Sequence, residues 1–137
     1  MLPITRLVGH NMAKRKRQFE LARVYDAPEP DGRFRVLVDR LWPRGVKKEN
    51  LKLDAWMKQL APSAELRRWF NHDAQRWDEF RRRFFKELAT KAEQIAQLHE
   101  AAEKRTVLLL YAARDEEHNN AVALKEFLEN HAANLVS

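Results

Sequence analysis

The 137-residue chain reads as an α/β protein: a small, mainly parallel or mixed sheet with helices packed on it, forming a single three-layer domain. Three observations predict this. Short apolar runs near 19–25, 34–39 and 106–111 have the length of strands. Segments with apolar residues three and four apart lie between and after them, as amphipathic helices require. The run TVLLLY, Thr106 to Tyr111, is almost wholly apolar, as a strand buried on both faces must be.

Taken in order, residues 1–18 form a basic extension, expected to be flexible, and 19–137 the α/β domain. Met12, followed by AKRKRQ, is a second candidate start. FELARVY, Phe19 to Tyr25, is the first strand. Residues 26–32, DAPEPDG, are dense in breakers and form a loop. Phe34 to Asp39 is the second strand. The link between the two is shorter than the dozen or so residues of an ordinary parallel crossover. They therefore pair antiparallel or are not neighbours.

Residues 47–51 suit a short helical turn, and LDAWMKQL, Leu53 to Leu60, fits a strand or a turn equally. APS at 61–63 starts a helix, with Ser63 as N-cap and Glu65 in the first turn, where the helix dipole favours an acid. That helix ends at Asn71–Asp73. Asp73 caps a longer one over 74–88, with Trp77, Phe80, Phe84 and Leu88 as its buried stripe. A third runs to about Lys104 with Ile95, Leu98 and Ala102 inward; the break before it is weak enough for one bent helix. After the 106–111 strand, which should be central, a last helix covers about 117–130, with Ala121, Leu124 and Leu128 inward.

Composition excludes several classes. A hydrophobic fraction of 45%, with four Trp and seven Phe, supplies a core and rules out a disordered or fibrous chain. Cysteine is absent, so there are no disulfides, thiolate metal sites or cysteine nucleophiles. No apolar run approaches the roughly 18 residues of a membrane span, and the first twelve residues lack the apolar core of a signal peptide. A cytoplasmic protein with no membrane partner is expected. The net charge of +6 is uneven. Residues 1–18 hold Arg6, Lys14, Arg15, Lys16 and Arg17 and no acid, which leaves 21 basic against 20 acidic residues in the body. The basic character therefore belongs to the extension, which weakens any argument from bulk charge to nucleic acid.

Two clusters follow the two buried strands, where α/β proteins tend to keep their sites. The first is Asp39, Arg40, Trp42, Pro43, Arg44 and Gly45. Arginine offers a planar fork to phosphate or carboxylate, an adjacent Asp can orient a ligand or take a proton, and Trp42 can wall a base or sugar. The plainer alternative is an Asp–Arg pair that ties down the loop, with Trp42 in the core. The second cluster is Tyr111, Arg114, Asp115, His118 and Asn119. Here backbone N–H groups at the strand-to-helix junction suit an anion, and His118 suits acid–base chemistry. Against this, Asp115 reads most simply as a helix cap. Asp39, His118 and Asp115 are the candidate catalytic residues. Arg40, Trp42, Arg44, Tyr111, Arg114 and Asn119 are the candidate ligand-binding residues.

A third group, Arg67, Trp69, Phe70, Asn71, His72 and Asp73, contains a His–Asp pair but also suits a plain corner between helices. No HxH, HxxxH or HExxH spacing exists, so no metal site is expected, and the sequence names no cofactor. Arg81, Arg82 and Arg83 interleave with Asp78, Glu79 and Glu87, as on a salt-bridged helix face.

RVYD at 23–26, LVDRLWPRG at 37–45, APS at 61–63, ELRRWFNHD at 65–73, WDEF at 77–80 and LLYAARDEEHNNA at 109–121 together resemble the YeaO-like branch of domain of unknown function 488. The resemblance runs in order from about residue 20 to 128. It implies a cytoplasmic prokaryotic protein of α/β fold and supplies no function. Two functional readings remain. One is an enzyme or binding protein for a small anionic or nucleotide-like ligand at the carboxyl edge of the sheet. The other is a nucleic-acid or partner-binding module that uses the basic extension and the arginine-rich helix. Oligomeric state is not legible.

Overall fold

The structure, a computed structural model, describes residues 18–136, and for 131–136 the backbone alone. The basic extension and its KRKR run therefore lie, Gln18 apart, outside the described residues. The described chain is α/β, with a four-stranded, wholly parallel sheet and five α-helices. The strands are β1 (Phe19–Arg23), β2 (Phe34–Leu37), β3 (Ala55–Trp56) and β4 (Val107–Tyr111), in the order β1-β4-β2-β3.

Position β4 explains how so short a link joins two parallel strands. β1 and β2 are not neighbours: both pair with β4, and residues 24–33 pass from one to the other across it. As one of the two interior strands, between β1 and β2, β4 is buried at all five positions.

Side chains alternate between two faces, as the pleat requires. On one face Phe19, Phe34, Val36, Val38, Val107, Leu109 and Tyr111 pack beneath the helices. These are α2 (Ala64–Phe70), α3 (Trp77–Leu88), α4 (Ala92–Ala102) and α5 (Asn120–Val136). On the other face Leu37, Leu108 and Leu110 meet Val24 and Leu51, with Trp42, Val46 and Trp56 packed against them. The layer there is thin: among the described residues it holds the 3-10 turn Val24–Asp26 and the single-turn helix α1 (Lys48–Leu51).

Local chemistry sets the helix ends. Ser63 caps α2 by accepting the Leu66 amide at 3.1 Å, and its own hydroxyl and amide are held by Glu87 at 2.6 and 2.9 Å. Asn71 and His72 both adopt positive φ, which stops α2 and turns the chain. Asp73 accepts the Gln75 amide and opens a 3-10 turn (Ala74–Arg76) that leads into α3. α3 and α4 are separate helices: residues 89–91 divide them, and the Thr90 hydroxyl donates to the Glu87 carbonyl at 2.7 Å. The ambiguous stretch from Leu53 to Leu60 is both things in turn, the two residues of β3 and then a 3-10 turn (Lys58–Leu60).

The last helix begins later than its sequence pattern suggests. Asp115 does not cap it. Asp115 Oδ1 accepts the Glu117 and His118 amides at 2.9 and 3.0 Å and closes a separate turn. Asn119 is the cap, its Oδ1 accepting the Val122 amide at 2.9 Å, and the helix starts at Asn120.

Candidate functional site

The carboxyl ends of β2 and β4 lie side by side and open into one cavity of about 670 Å3. The loop after β2 forms one wall. Its shape is set by the two tryptophans: Trp56 Nε1 donates to the Asp39 carbonyl at 2.8 Å, and Trp42 Nε1 to the Val46 carbonyl at 2.6 Å. Their rings meet edge to face, with centroids 5.3 Å apart. Gly45 sits at φ +77°, where a residue with a Cβ would be strained. The loop after β4 forms the opposite wall. Residues of the β1 end hold both: Arg23 Nε donates to the Ala113 carbonyl, and the Tyr25 hydroxyl to the Arg44 carbonyl, at 2.9 and 2.8 Å.

Asp39 stands between the walls. Its Oδ2 accepts the Ala112 amide at 2.9 Å and its Oδ1 the Asn120 side-chain amide at 3.0 Å. Burial raises its pKa above the ordinary carboxylate value, opposed by these two hydrogen bonds and by the charge of Arg67. No cation lies within ion-pair distance of it among the described residues. His118 is oriented by Asp115, with Nδ1 2.9 Å from Oδ2, and its ring meets the Trp77 ring edge-on at 5.4 Å. The Glu117 amide first, and then the His118 ring, hold the Asp115 carboxyl below its usual value.

Asp39, Arg40, Trp42, Arg44, Arg114, Asp115, His118 and Asn119 all line this cavity. Their states differ. Arg44 and Arg114 make no side-chain hydrogen bond or ion pair among the described residues and are exposed. Arg40 donates twice to the Pro62 carbonyl, at 3.1 and 3.0 Å, so part of its fork is spent on α2's approach. Trp42 is held by the loop and by Trp56 and lines the cavity in that position. Asn119 is buried, with its amide shared between the Val122 N–H and the Asp115 carbonyl.

Tyr111 is not among the lining residues. It is buried in the core beneath the helices, and burial first of all raises its pKa. Of the junction's backbone amides, those of Ala112, Glu117, His118 and Val122 are taken by Asp39, Asp115 and Asn119.

Polar lining residues also come from outside the two clusters. Arg67 and His72 come from the corner after Ser63, and Asn120 opens α5. Among the described residues Arg67 makes no side-chain hydrogen bond or ion pair and acts on Asp39 through its charge. The cavity thus carries four arginines against two aspartates, with Pro43, Ala61, Phe70, Phe80 and Ala112 as apolar wall. Among the described residues no three His, Asp or Glu side chains converge as a metal site would need, and no helix is long and apolar enough to cross a membrane. Arg81, Arg82 and Arg83 are ion-paired, the first with Glu126 and Asp78 and the others with Glu79.

A fold of this kind, with its signature loops at one cavity, defines a family rather than a chemistry. Residues 18–135 match the family described as "Inactive DUF488-N3 subclade", and the chain belongs to it. It is similar to the uncharacterised YeaO of Escherichia coli, 41% identical over 108 residues, which cover 79% of this chain and 94% of that one. It is also similar to uncharacterised proteins of Mycobacterium tuberculosis and Mycobacterium bovis, each 38% identical over 114 residues, covering 83% of this chain and 96% of theirs. No solved structure matches significantly.

Proposed function

We propose that the protein binds a small anionic, nucleotide-like ligand, carrying phosphate or carboxylate, in the cavity at the carboxyl edge of its sheet. One observation carries this reading: Arg44, Arg67 and Arg114 line a single cavity without a hydrogen-bond or salt-bridge partner among the described residues. Guanidinium forks left unpaired in a concave site match the geometry of oxyanions. A volume of about 670 Å3 lies within the range of small-molecule sites. Binding without turnover suits the description of the subclade as inactive and the absence of Ser, Thr, Cys or Lys from the lining. The test is thermal unfolding with added phosphate, sulfate and adenosine monophosphate. A saturable rise in Tm is expected, lost in Arg44→Ala and Arg114→Ala variants of unchanged ligand-free Tm. Variants that unfold instead would make the arginines structural.

Catalysis has its own supporting observation. Asp115 fixes the His118 ring through Nδ1, which leaves Nε2 to act as base or acid at the cavity, and Asp39 is a second carboxyl within it. On that reading His118→Gln abolishes turnover of a bound phosphate ester and leaves its affinity intact. The nucleic-acid reading is weaker, because the arginine triplet of α3 is spent on ion pairs.

A further inference from the structure

The lining holds a second recognition element besides the arginines. A carboxylate offers about four lone-pair sites. The Ala112 amide and the Asn120 side chain occupy one on each oxygen of Asp39, and among the described residues no other hydrogen bond reaches either oxygen. The Trp56 indole bonds the backbone carbonyl of Asp39 and leaves the carboxylate alone. Arg40, the adjacent residue, turns away to Pro62, and Arg67 acts only through space. Asp39 is therefore a mostly buried acceptor, half satisfied, held from the end of β4 and the start of α5 and lining the cavity. A bare anion gives it nothing. A tetrahedral anion alone also fills little of about 670 Å3.

We propose that Asp39 selects ligands that carry hydroxyl or amino donors beside the anionic group, so that the ligand class is a phosphorylated sugar or nucleotide rather than a simple oxyanion. The arginines hold the phosphate; the Asp39 carboxylate accepts hydrogen bonds from hydroxyl groups; Phe70, Phe80 and Pro43 cover the apolar face of the body. This rests on the anion-binding reading and goes beyond it. It also gives a reason for an acid in a site built for anions: Asp39 repels a ligand that lacks donors and rewards one that has them.

The experiment is calorimetric titration of the full chain with ribose 5-phosphate and with methyl phosphate, which shares the charge and lacks the hydroxyl groups. The wild-type protein should bind ribose 5-phosphate at least about tenfold more tightly. Asp39→Asn should erase that preference and bind methyl phosphate as well as the wild type or better. Equal wild-type affinities for the two probes overturn the role of Asp39, while the anion reading stands. Failure of both probes to bind overturns the anion reading and this inference with it. The wild-type comparison decides the matter even if Asp39→Asn does not fold.

Discussion

Asp39 and Ala112 join the ends of two parallel strands: the carboxylate Oδ2 accepts the Ala112 amide at 2.9 Å, one step past the last backbone bond between the strands, from Val38 N–H to the Leu110 carbonyl. The side chain thus continues the ladder where the backbone leaves it. This keeps the two loops in register and places the acid at the floor of the cavity they form.

Asn120 completes that floor. Its amide donates to the Val38 carbonyl and to Asp39 Oδ1, both at 3.0 Å, and so ties the start of α5 to the end of β2. Asn120→Ala should cost about 1–3 kcal/mol, because two acceptors lose their donor. Urea unfolding measures it as a lower midpoint at unchanged m-value.

The two cavity aspartates should titrate in opposite directions. In a carboxyl-carbon NMR titration Asp39 should ionise above the usual value, chiefly from burial, and Asp115 below it, chiefly from the Glu117 amide and then the His118 ring. The linkage signs follow. The folded state holds the Asp39 proton more tightly, so the contribution of Asp39 is present below its unfolded pKa and is lost as pH rises through its folded value. The contribution of Asp115 is present above its unfolded pKa and is lost as pH falls through its folded value.

Arg35 should be the most sensitive charged residue outside the cavity. It lies in β2 at 3% exposure, and its guanidinium donates to the carbonyls of Pro28, Leu51 and Lys52 at 2.7, 2.8 and 3.0 Å. It pins the loop after β1 to the end of α1. Arg35→Met strips three carbonyls of their partner and should cost on the order of 3 kcal/mol. Thermal unfolding should show the loss.

Ser63 acts at two levels, as the cap of α2 and as the hydroxyl partner of Glu87 on α3. Ser63→Ala should destabilise by about 1–2 kcal/mol. Ser63→Asp should fare worse, since its carboxylate would face Glu87; the order of the two melting temperatures checks this.

What the sequence made legible was local or strongly periodic. Ser63 and Asp73 were readable because caps act within three residues, and β4 because five consecutive buried positions leave little else. The start of α5 was not. Asp115 and Asn119 are both good caps, and only the reach of Asn120 back to Val38 and Asp39 decides between them. Arg35 carries no local signal, because the carbonyls that hold it come from Pro28, Leu51 and Lys52, outside its own strand. Asp39, Arg44, Arg114 and His118 were foreseeable together, since both loops follow buried strands. Arg67 and His72 stood in a group that also reads as a helix corner. It is such a corner, and it is also one side of the cavity, which depends on where α2 crosses the sheet. Tyr111 falls in the core rather than in the lining because a strand's last residue points to either face, and register alone decides which.

The most direct measurement of the central claim is an NMR titration that follows the arginine side-chain Nε–H signals as adenosine monophosphate is added. The signals of Arg44, Arg67 and Arg114 should shift together along one saturation curve, while those of the ion-paired Arg81, Arg82 and Arg83 stay in place. Shifts confined to the surface arginines of α3, or no saturable shift at the three cavity arginines, would contradict it.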